Sequence, residues 1–450
     1  METTKNYTLR VGYGRADITP LEPVMLGGLG GVEGSRMHER VLDPLETICI
    51  AVTDEKDETV LLITNDLVEI RNMTGMKEPI IQATGIAADH IFLANTHTHH
   101  APGLEAIMEQ TDRYRAFLAD RMAIAAAQAM TDRKPASMQI TSTIATNMTF
   151  CRRYLNTEGG LYNSTIKEMV MVGPESPPDE QLQMLKFVRE DGKDILLVNF
   201  QGHYHGRSPF GDSFKSITRN FPGFCRDKLE EETGCLPAYF SGAGGNLAAL
   251  TIYDKAKNVS SDYVDHGYRL AQYALDAQAD FRPVAAGPIR VKSRVYTGKT
   301  KKQPELFEIA EKICELFEAT NDREKAMELA KGYPISSIYH AGAIHGNSKL
   351  GDTFDTTLEA VTIGDLAIAC APCELYDANG KNVKEQSPFG ATLVFQLCNG
   401  SVGYIPAEYA YAHNGYEIDT TKFQKGVAEG FQNTFLDLFR EMKEEQNNEQ

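Results

Sequence analysis

The chain lacks the features that define membrane, secreted and nucleic-acid-binding proteins. No hydrophobic run approaches the roughly 18 apolar residues needed to cross a bilayer, and residues 1–7 have neither the apolar core nor the cleavage pattern of a signal peptide. Positively charged residues are outnumbered: the sequence has 45 Lys and Arg against 62 Asp and Glu, which gives a net charge of −17. This acidity argues against nucleic acid or an anionic membrane as the main partner, and we expect no stable membrane insertion.

Cysteines, repeats and linkers are also sparse. The eight cysteines are scattered, and their one close pair is Cys370-Ala-Pro-Cys373. A redox CxxC normally opens a helix, whereas this one lies late in a strand pattern, so the sequence does not favour a redox role. Without an export signal we expect reduced thiols and a cytoplasmic protein. The length would allow two or three domains, but the lack of repeats and Pro/Ser-rich linkers favours one continuous domain over residues 1–450.

What the chain does contain is an alternation of strand-like and helical patterns, which predicts an α/β fold. Residues 304–333 read as two charged amphipathic helices with a turn at Asn321-Asp322, and we interpret them as a lid or helical insertion. The helical patterns elsewhere cover residues 112–130, 261–279 and 422–444. The strand patterns cover residues 45–53, 59–65, 90–94, 195–200, 238–241, 289–296, 358–363, 366–371 and 392–397.

Two histidine clusters stand out among the eleven histidines. His97-Thr-His99-His100 and His203-Tyr-His205 each follow an apolar strand pattern. Residues two apart on an extended chain share a face, so His97 and His99 are expected to point the same way. Imidazoles converging at strand ends suit a zinc-type ion, which prefers nitrogen and oxygen ligands. The alternative is a polar loop whose histidines only form hydrogen bonds.

Five motifs follow one another along nearly the whole chain. They are Gly12-Tyr-Gly-Arg-Ala-Asp17-Ile-Thr-Pro20, Thr96-His-Thr-His-His-Ala-Pro-Gly103, the histidine after Val198-Asn-Phe, Ala371-Pro-Cys-Glu374-Leu-Tyr, and Gly403-Tyr404-Ile-Pro with Gly415-Tyr416-Glu. In the content and order of these motifs, the chain resembles the neutral/alkaline, non-lysosomal ceramidases and their ceramidase-like relatives. Each motif alone is weak, but five in the family's order are specific. The resemblance implies the fold of that family's catalytic domain, with mixed β-sheets flanked by helices.

The resemblance also implies a Zn²⁺ ion held by two histidines, a glutamate and a tyrosine. These match His97, His203, Glu374 and Tyr404. Two imidazoles and one carboxylate are a common catalytic zinc set that leaves room for water. A tyrosine ligand is unusual and would bind ionised, with the cation lowering its pKa. On residue type alone, Tyr404 could instead be a core tyrosine and Glu374 a helix N-terminal residue.

Further roles follow from the resemblance. Arg152 and Tyr416 match residues that hold the substrate carbonyl. His99 would lie beside the metal-bound water as a proton carrier or as a hydrogen-bond partner of a ligand, and either His99 or His205 would pass a proton to the leaving group. Asp66 could orient a ligand histidine or cap a turn, and we favour a structural role.

The chain departs from the family in the turn Phe240-Ser-Gly-Ala-Gly-Gly-Asn246-Leu-Ala248. Ceramidases proper have a serine where this chain has Ala248, and an aspartate where it has Asn246. Ser241 lies too early to substitute without a different backbone path. The turn's glycines could expose N–H groups that receive an oxyanion, or could simply form a tight connection.

These observations favour a zinc-dependent hydrolase in which a metal-bound water attacks an amide or ester carbonyl of a small molecule other than ceramide. One alternative is a metal-dependent lyase or hydrolase acting on a sugar or cyclitol derivative. A non-catalytic binding protein is another, and metal content would separate it from an enzyme. A barrel-shaped amidohydrolase also begins with HxH, but eight regular strand–helix repeats cannot be counted here.

Overall fold

The computed structural model describes residues 9–28, 36–157, 160–162, 170–203 and 215–449. The helices are α1 (Glu78–Thr84), α2 (Glu109–Thr131), α3 (Asn220–Thr233), α4 (Tyr263–Asp276), α5 (Phe307–Thr320), α6 (Arg323–Glu328), α7 (Ile338–Ser348), α8 (Asp377–Gln386), α9 (Tyr416–Thr420) and α10 (Val427–Glu449). The strands are β1 (Leu9–Asp17), β2 (Arg40–Val41), β3 (Glu46–Thr53), β4 (Thr59–Asn65), β5 (Ile91–Asn95), β6 (Lys134–Ile144), β7 (Phe150–Cys151), β8 (Tyr154–Asn156), β9 (Leu161–Tyr162), β10 (Met171–Pro174), β11 (Gln181–Arg189), β12 (Ile195–Phe200), β13 (Ser216–Ile217), β14 (Leu236–Ser241), β15 (Leu247–Ala248), β16 (Arg282–Val284), β17 (Ile289–Lys299), β18 (Thr353–Ile363), β19 (Leu366–Ala371), β20 (Glu374–Leu375), β21 (Ala391–Gln396) and β22 (Tyr404–Ile405).

Two mixed sheets form the centre of the molecule. The larger has the order β14-β12-β11-β6-β1-β3-β4-β5, with β16 paired to β6, and the smaller has the order β17-β18-β19-β21. Most neighbours are antiparallel, but β4/β5, β12/β14 and β19/β21 are parallel. The predicted α/β class with mixed sheets flanked by helices is therefore confirmed.

The two sheets pack face to face and helices cover both outer faces. Phe240 and Phe395, one from each sheet, stack with ring centroids 4.3 Å apart in the shared core. Helices α1 to α4 cover the larger sheet, while α8 and α10 cover the smaller one. Because both faces are covered, β4 is buried along its whole length, which explains its nearly continuous apolar sequence.

The two edges of the larger sheet approach each other where its parallel strands end. The Thr64 hydroxyl donates to the Tyr239 carbonyl at 2.7 Å, and the Ser241 hydroxyl donates to the Thr96 carbonyl at 3.1 Å. These bonds join the β4/β5 edge to the β14 edge. The ends of β5 and β12 are thereby brought close together with β14 between them, although about a hundred residues separate them along the chain.

Residues 304–333 contain two helices, as the sequence predicts. Helix α5 ends at Asn321, which has a φ of 51°, and the Asp322 side chain caps α6 by accepting from the Lys325 N–H at 3.0 Å. Together with α7, these helices share an apolar cluster of their own. Whether they act as a lid or insertion stays a prediction.

The buried thiols give no support to redox chemistry. All eight cysteines are free. Burial raises the pKa of both Cys370 and Cys373 well above its ordinary value, so neither is poised as a thiolate. Within the described ranges, no helix is both long and apolar enough to cross a membrane.

Candidate metal centre

His97 is oriented by the backbone that follows β4. It has a φ of 65°, a left-handed conformation that turns the chain directly after β5. Its backbone N–H donates to the Leu67 carbonyl at 2.9 Å, and its Nδ1 lies 2.9 Å from the Val68 carbonyl. A carbonyl only accepts, so Nδ1 carries the proton and the lone pair of Nε2 faces the centre.

Three imidazoles meet at this point. The Nε2 atoms of His99 and His97 are 3.3 Å apart, and those of His203 and His99 are 3.0 Å apart. The three residues are almost fully buried, and they form the metal-compatible cluster of the described residues. His100 turns away, with its Nδ1 3.1 Å from the Ser216 carbonyl, and so it does not join the cluster.

Glu374 adds a carboxylate to the cluster. Its Oε2 lies 3.3 Å from His97 Nε2 and 3.9 Å from His203 Nδ1. This oxygen is buried and accepts no well-formed hydrogen bond from the described residues. Burial by itself lowers the pKa of His97, but the Glu374 carboxylate outweighs it and the net pKa is raised.

The spacing of these donors fits a small divalent cation. Zinc–nitrogen and zinc–oxygen bonds of about 2.0–2.1 Å place tetrahedral ligands roughly 3.3 Å apart. The 3.3 Å between His97 Nε2 and Glu374 Oε2, two of the expected ligands, agrees with that value. The Nε2 atom of His99 lies 3.3 and 3.0 Å from those of His97 and His203, so its spacing also fits a ligand. Nitrogen and carboxylate oxygen are also the donors that zinc prefers, so residues and geometry both fit the expected ion.

Tyr404 lies beside Glu374 because β20 and β22 pair in parallel, with these two residues as partners. The Arg152 guanidinium carbon lies 5.4 Å from the centre of the Tyr404 ring. Burial, with the Glu374 charge, raises the pKa of Tyr404 well above its ordinary value, while Arg152 acts in the opposite direction. Tyr404 is therefore a neutral phenol unless a cation lowers its pKa.

Arg152 is fixed on three sides. Its Nε donates to Glu417 at 2.7 Å, its Nη2 donates to the Gly245 carbonyl at 3.0 Å, and its Nη1 lies 3.0 Å from His203 Nδ1. An arginine only donates, so the proton of a neutral His203 ring lies on Nε2 and points to His99. For Nε2 to bind a metal as a neutral ligand, the proton would have to lie on Nδ1 instead, and Arg152 Nη1 would have to move away from that atom.

Glu417, which sequence reasoning missed, holds this arginine in place. Its second carboxylate oxygen accepts from Arg153 at 3.0 Å, and Arg153 also pairs with Glu175. The buried network therefore carries two arginines and two glutamates. Glu417 directly follows Tyr416 in the sequence, and that adjacency was the available signal.

Tyr416, the first residue of α9, lines a cavity of about 490 Å³ together with His97, His99, Glu374 and Tyr404. Burial and the Glu374 charge raise the pKa of Tyr416 to about 12. Its hydroxyl therefore stays protonated and can donate a hydrogen bond. His205 lies outside the described residues, so its predicted role stays a prediction.

Of the two alternatives for the glycine-rich turn, the structure agrees with a tight connection and not with an oxyanion site. The N–H groups of Gly242, Gly244 and Gly245 already donate to the Phe200 carbonyl, the Gln396 side chain and the Leu375 carbonyl, respectively. The turn instead packs closely against the backbone that carries Glu374.

At position 248, where ceramidases have a serine, this chain has an alanine, and no described hydroxyl of the turn takes the place of that serine. Asn246 is buried and exchanges two hydrogen bonds with Asp377, at 2.8 and 3.0 Å. Ser241 is buried and donates to the Thr96 carbonyl.

Asp66 pairs with Arg226 at 2.6 Å, in agreement with the favoured structural role.

Gly245→Ala is expected to disturb the centre without changing any of its ligands. A Cβ at this position would lie 2.5 Å from the Glu374 carbonyl oxygen, so that backbone must move. We expect a loss of roughly 1–3 kcal/mol in unfolding free energy and weaker Zn²⁺ binding, measured by denaturation and metal titration. Gly342→Ala, in α7 with open space around it, is the control and should be neutral or stabilising by up to about 1 kcal/mol. Equal behaviour of the two variants would contradict the packing argument.

The site and fold together define an α/β protein with a buried histidine–carboxylate centre, and two solved structures share this fold. The crystal structure of neutral ceramidase from Pseudomonas aeruginosa matches with a TM-score of 0.70 and 17% identity, covering 98% of this chain and 75% of that one. A ceramidase complexed with C2 matches with a TM-score of 0.69 and 15% identity, covering 98% and 76%. No protein-family model and no curated protein matches the chain. The chain thus has the neutral ceramidase fold, as its motifs predict.

Proposed function

We propose that the protein is a zinc-dependent hydrolase that cleaves an amide or ester bond of a small molecule. The observation that carries the proposal is the convergence of His97, His203 and Glu374 with His99. Of these residues, His97, His99 and Glu374 line the cavity. The proposed ligands are His97, His203, Glu374 and Tyr404. When bound, such an ion lowers the pKa of a coordinated water to around 7 and polarises a carbonyl oxygen.

The surrounding side chains would orient the substrate. Tyr416, whose pKa of about 12 keeps it protonated, would donate to the carbonyl oxygen. Arg152 uses three of its N–H donors on Glu417, His203 and Gly245 and also bonds the Tyr404 side chain, which leaves at most one of the five for a carbonyl. Arg152 would therefore both orient His203 and bind the substrate.

His99 is the proposed proton carrier. Its Nε2 lies within 3.0–3.3 Å of two proposed ligands, so it is within reach of a water at the centre and of a leaving group. His99→Gln is expected to keep one zinc per chain and to lower turnover by about 10²–10⁴-fold. Metal analysis and kinetics on the same sample check this, and loss of the zinc would instead make His99 a ligand.

One observation disfavours ceramide as the substrate. Ala248 carries no hydroxyl, and the nearby Ser241 and Asn246 side chains form hydrogen bonds elsewhere. The lyase alternative would use a tyrosine and a histidine as acid and base, and the raised pKa of Tyr416 is compatible with the acid but not with the base.

The test combines metal analysis with a hydrolysis screen. Purified protein is expected to retain one zinc per chain and to release acid from short acyl amides or esters. Chelation should abolish this activity, and Zn²⁺ should restore it. A metal-free protein, or hydrolysis that survives chelation, would contradict the proposal, and the metal-free result would favour a binding protein.

A further inference from the structure

The cavity beside the centre has a charged wall that the proposed reaction does not use. Glu69, Arg71 and Glu105 line the same cavity of about 490 Å³ as His97 and Glu374. This volume suits a small ligand. Packing a hydrocarbon chain against ionised groups would strip them of water without compensation, so this wall is suited to polar atoms.

Glu69 holds one edge of the Arg71 guanidinium group. Its Nε and Nη2 both lie 2.7 Å from the same Glu69 oxygen. The Glu69 side chain is only 11% exposed, whereas that of Arg71 is 55% exposed. The remaining nitrogen, Nη1, donates to no residue in the part of the chain that the structure describes. Glu69 thus fixes a guanidinium whose other edge is open to a ligand acceptor.

A row of tyrosines forms another part of the wall. The Tyr339 and Tyr416 rings meet edge to face at 5.7 Å, and the Tyr404 and Tyr416 rings do so at 5.5 Å. Tyrosine rings offer an apolar face to C–H groups and a hydroxyl for hydrogen bonding. A hydroxylated carbon skeleton presents both kinds of group.

The charges of the lining indicate a neutral ligand. Three carboxylates, Glu69, Glu105 and Glu374, face one guanidinium, Arg71. A divalent cation at the centre would bring these four side chains to zero, and an ionised Tyr404 would bring the lining to −1, so no positive charge is left to balance an anionic substrate. An anionic substrate would then leave an uncompensated charge in the cavity, whereas a hydroxyl adds none.

We infer that the substrate is a neutral, hydroxylated small molecule, with a hydroxyl oxygen that accepts from Arg71 Nη1 while Glu69 holds the guanidinium in place. This inference rests on the proposed hydrolysis and names its substrate class. The amide or ester to be cleaved lies toward the histidines, and the hydroxylated part lies toward Arg71. Arg71 is the specificity-determining contact, and Glu69 is a positioning residue.

Three matched amides test the inference. N-acetylethanolamine carries a hydroxyl where N-propylacetamide carries a methyl group, and N-acetylglycine carries a carboxylate. Dissociation constants are measured by ligand-observed NMR on the zinc-loaded protein, and acetate release is measured in parallel. Wild type should bind the hydroxyl amide roughly fivefold or more tightly than the methyl amide, as expected of a hydrogen bond to a charged donor.

Variants assign that preference to residues. Arg71→Gln should abolish the preference, so that N-acetylethanolamine and N-propylacetamide bind with equal affinity. Glu69→Gln should reduce the preference, seen as a higher dissociation constant for N-acetylethanolamine. Arg113→Gln, which removes another partly exposed arginine paired with glutamates, should leave it intact.

The outcomes separate this inference from the proposed function. Equal binding of all three amides, no detectable binding, or tighter binding of N-acetylglycine would overturn the inference, even if amides are hydrolysed. A hydroxyl preference lost in Arg71→Gln without any acetate release would support the binding inference and contradict hydrolysis.

Discussion

Glu374→Gln is expected to lower the affinity for Zn²⁺ by roughly 10²–10³-fold and to abolish turnover. A four-ligand zinc site contributes about 10–16 kcal/mol, so loss of one ligand corresponds to about a quarter of that, or two to three powers of ten in affinity. Glutamine keeps the shape of the side chain but replaces the charged oxygen that lies 3.3 Å from His97 Nε2. The measurement is titration of the metal-free protein with zinc, followed by kinetics.

Glu359→Gln is the matched control. This partly buried glutamate accepts from the Asn399 side chain at 2.6 Å and does not line the cavity. Its substitution should leave metal content and turnover close to wild type. If Glu374→Gln behaves in the same way, the proposed metal site is wrong.

Glu417→Gln is expected to cost about 3–5 kcal/mol of unfolding free energy, the range observed when one partner of a buried ion pair is removed. The substitution leaves Glu175 as the only carboxylate paired with the buried Arg153. It also removes the ion pair between Glu417 and Arg152, which holds Arg152 next to His203. Denaturant unfolding measures the loss. The exposed pair of Glu22 with Arg113 provides the control, since Glu22→Gln should leave the unfolding free energy close to that of wild type. A similarly small loss for Glu417→Gln would show that the network does not stabilise the fold.

The stability contributed by Glu417 is expected to depend on pH. Burial by itself raises the pKa of Glu417, but Arg152 and Arg153 outweigh it, and the pKa is lowered in the folded state. Its contribution is therefore present above the unfolded value of about 4.3 and is lost as the pH falls through the lowered folded pKa. Wild type should lose stability in this acidic window more steeply than Glu417→Gln, and parallel slopes would contradict the assignment.

Several strands and helices could be predicted from the sequence, because buried elements have a regular pattern of apolar residues. Strand β4 matches the predicted range, and β5 and α2 lie within a few residues of theirs. Strands β6 and β11 were missed, although they are central to the larger sheet. Their sequences mix Ser, Thr, Gln and Lys with apolar residues, and Thr141 and Gln183 are buried there. Tertiary contacts overrode the local pattern at these positions.

The candidate site residues came from two sources. His97 and His203 were singled out because each follows an apolar strand pattern, whereas Glu374, Tyr404 and Tyr416 were assigned through the resemblance to the ceramidase family. The sequence left two alternatives open for the glycine turn, because it does not show that the N–H groups of Gly242, Gly244 and Gly245 already donate to other residues. Glu69 and Arg71 carry no motif and became visible only as lining of the cavity.

By itself, the sequence determined the α/β class, the histidine clusters at the ends of β5 and β12, and the absence of a serine at Ala248. These are local properties, set by apolar periodicity and residue identity. Only the tertiary structure decided which histidine nitrogens lie close together and which side chains hold them in place. The approach of the two sheet edges and the Arg152–Glu417 ion pair depend on contacts between residues far apart along the chain, and no local pattern encodes such distances.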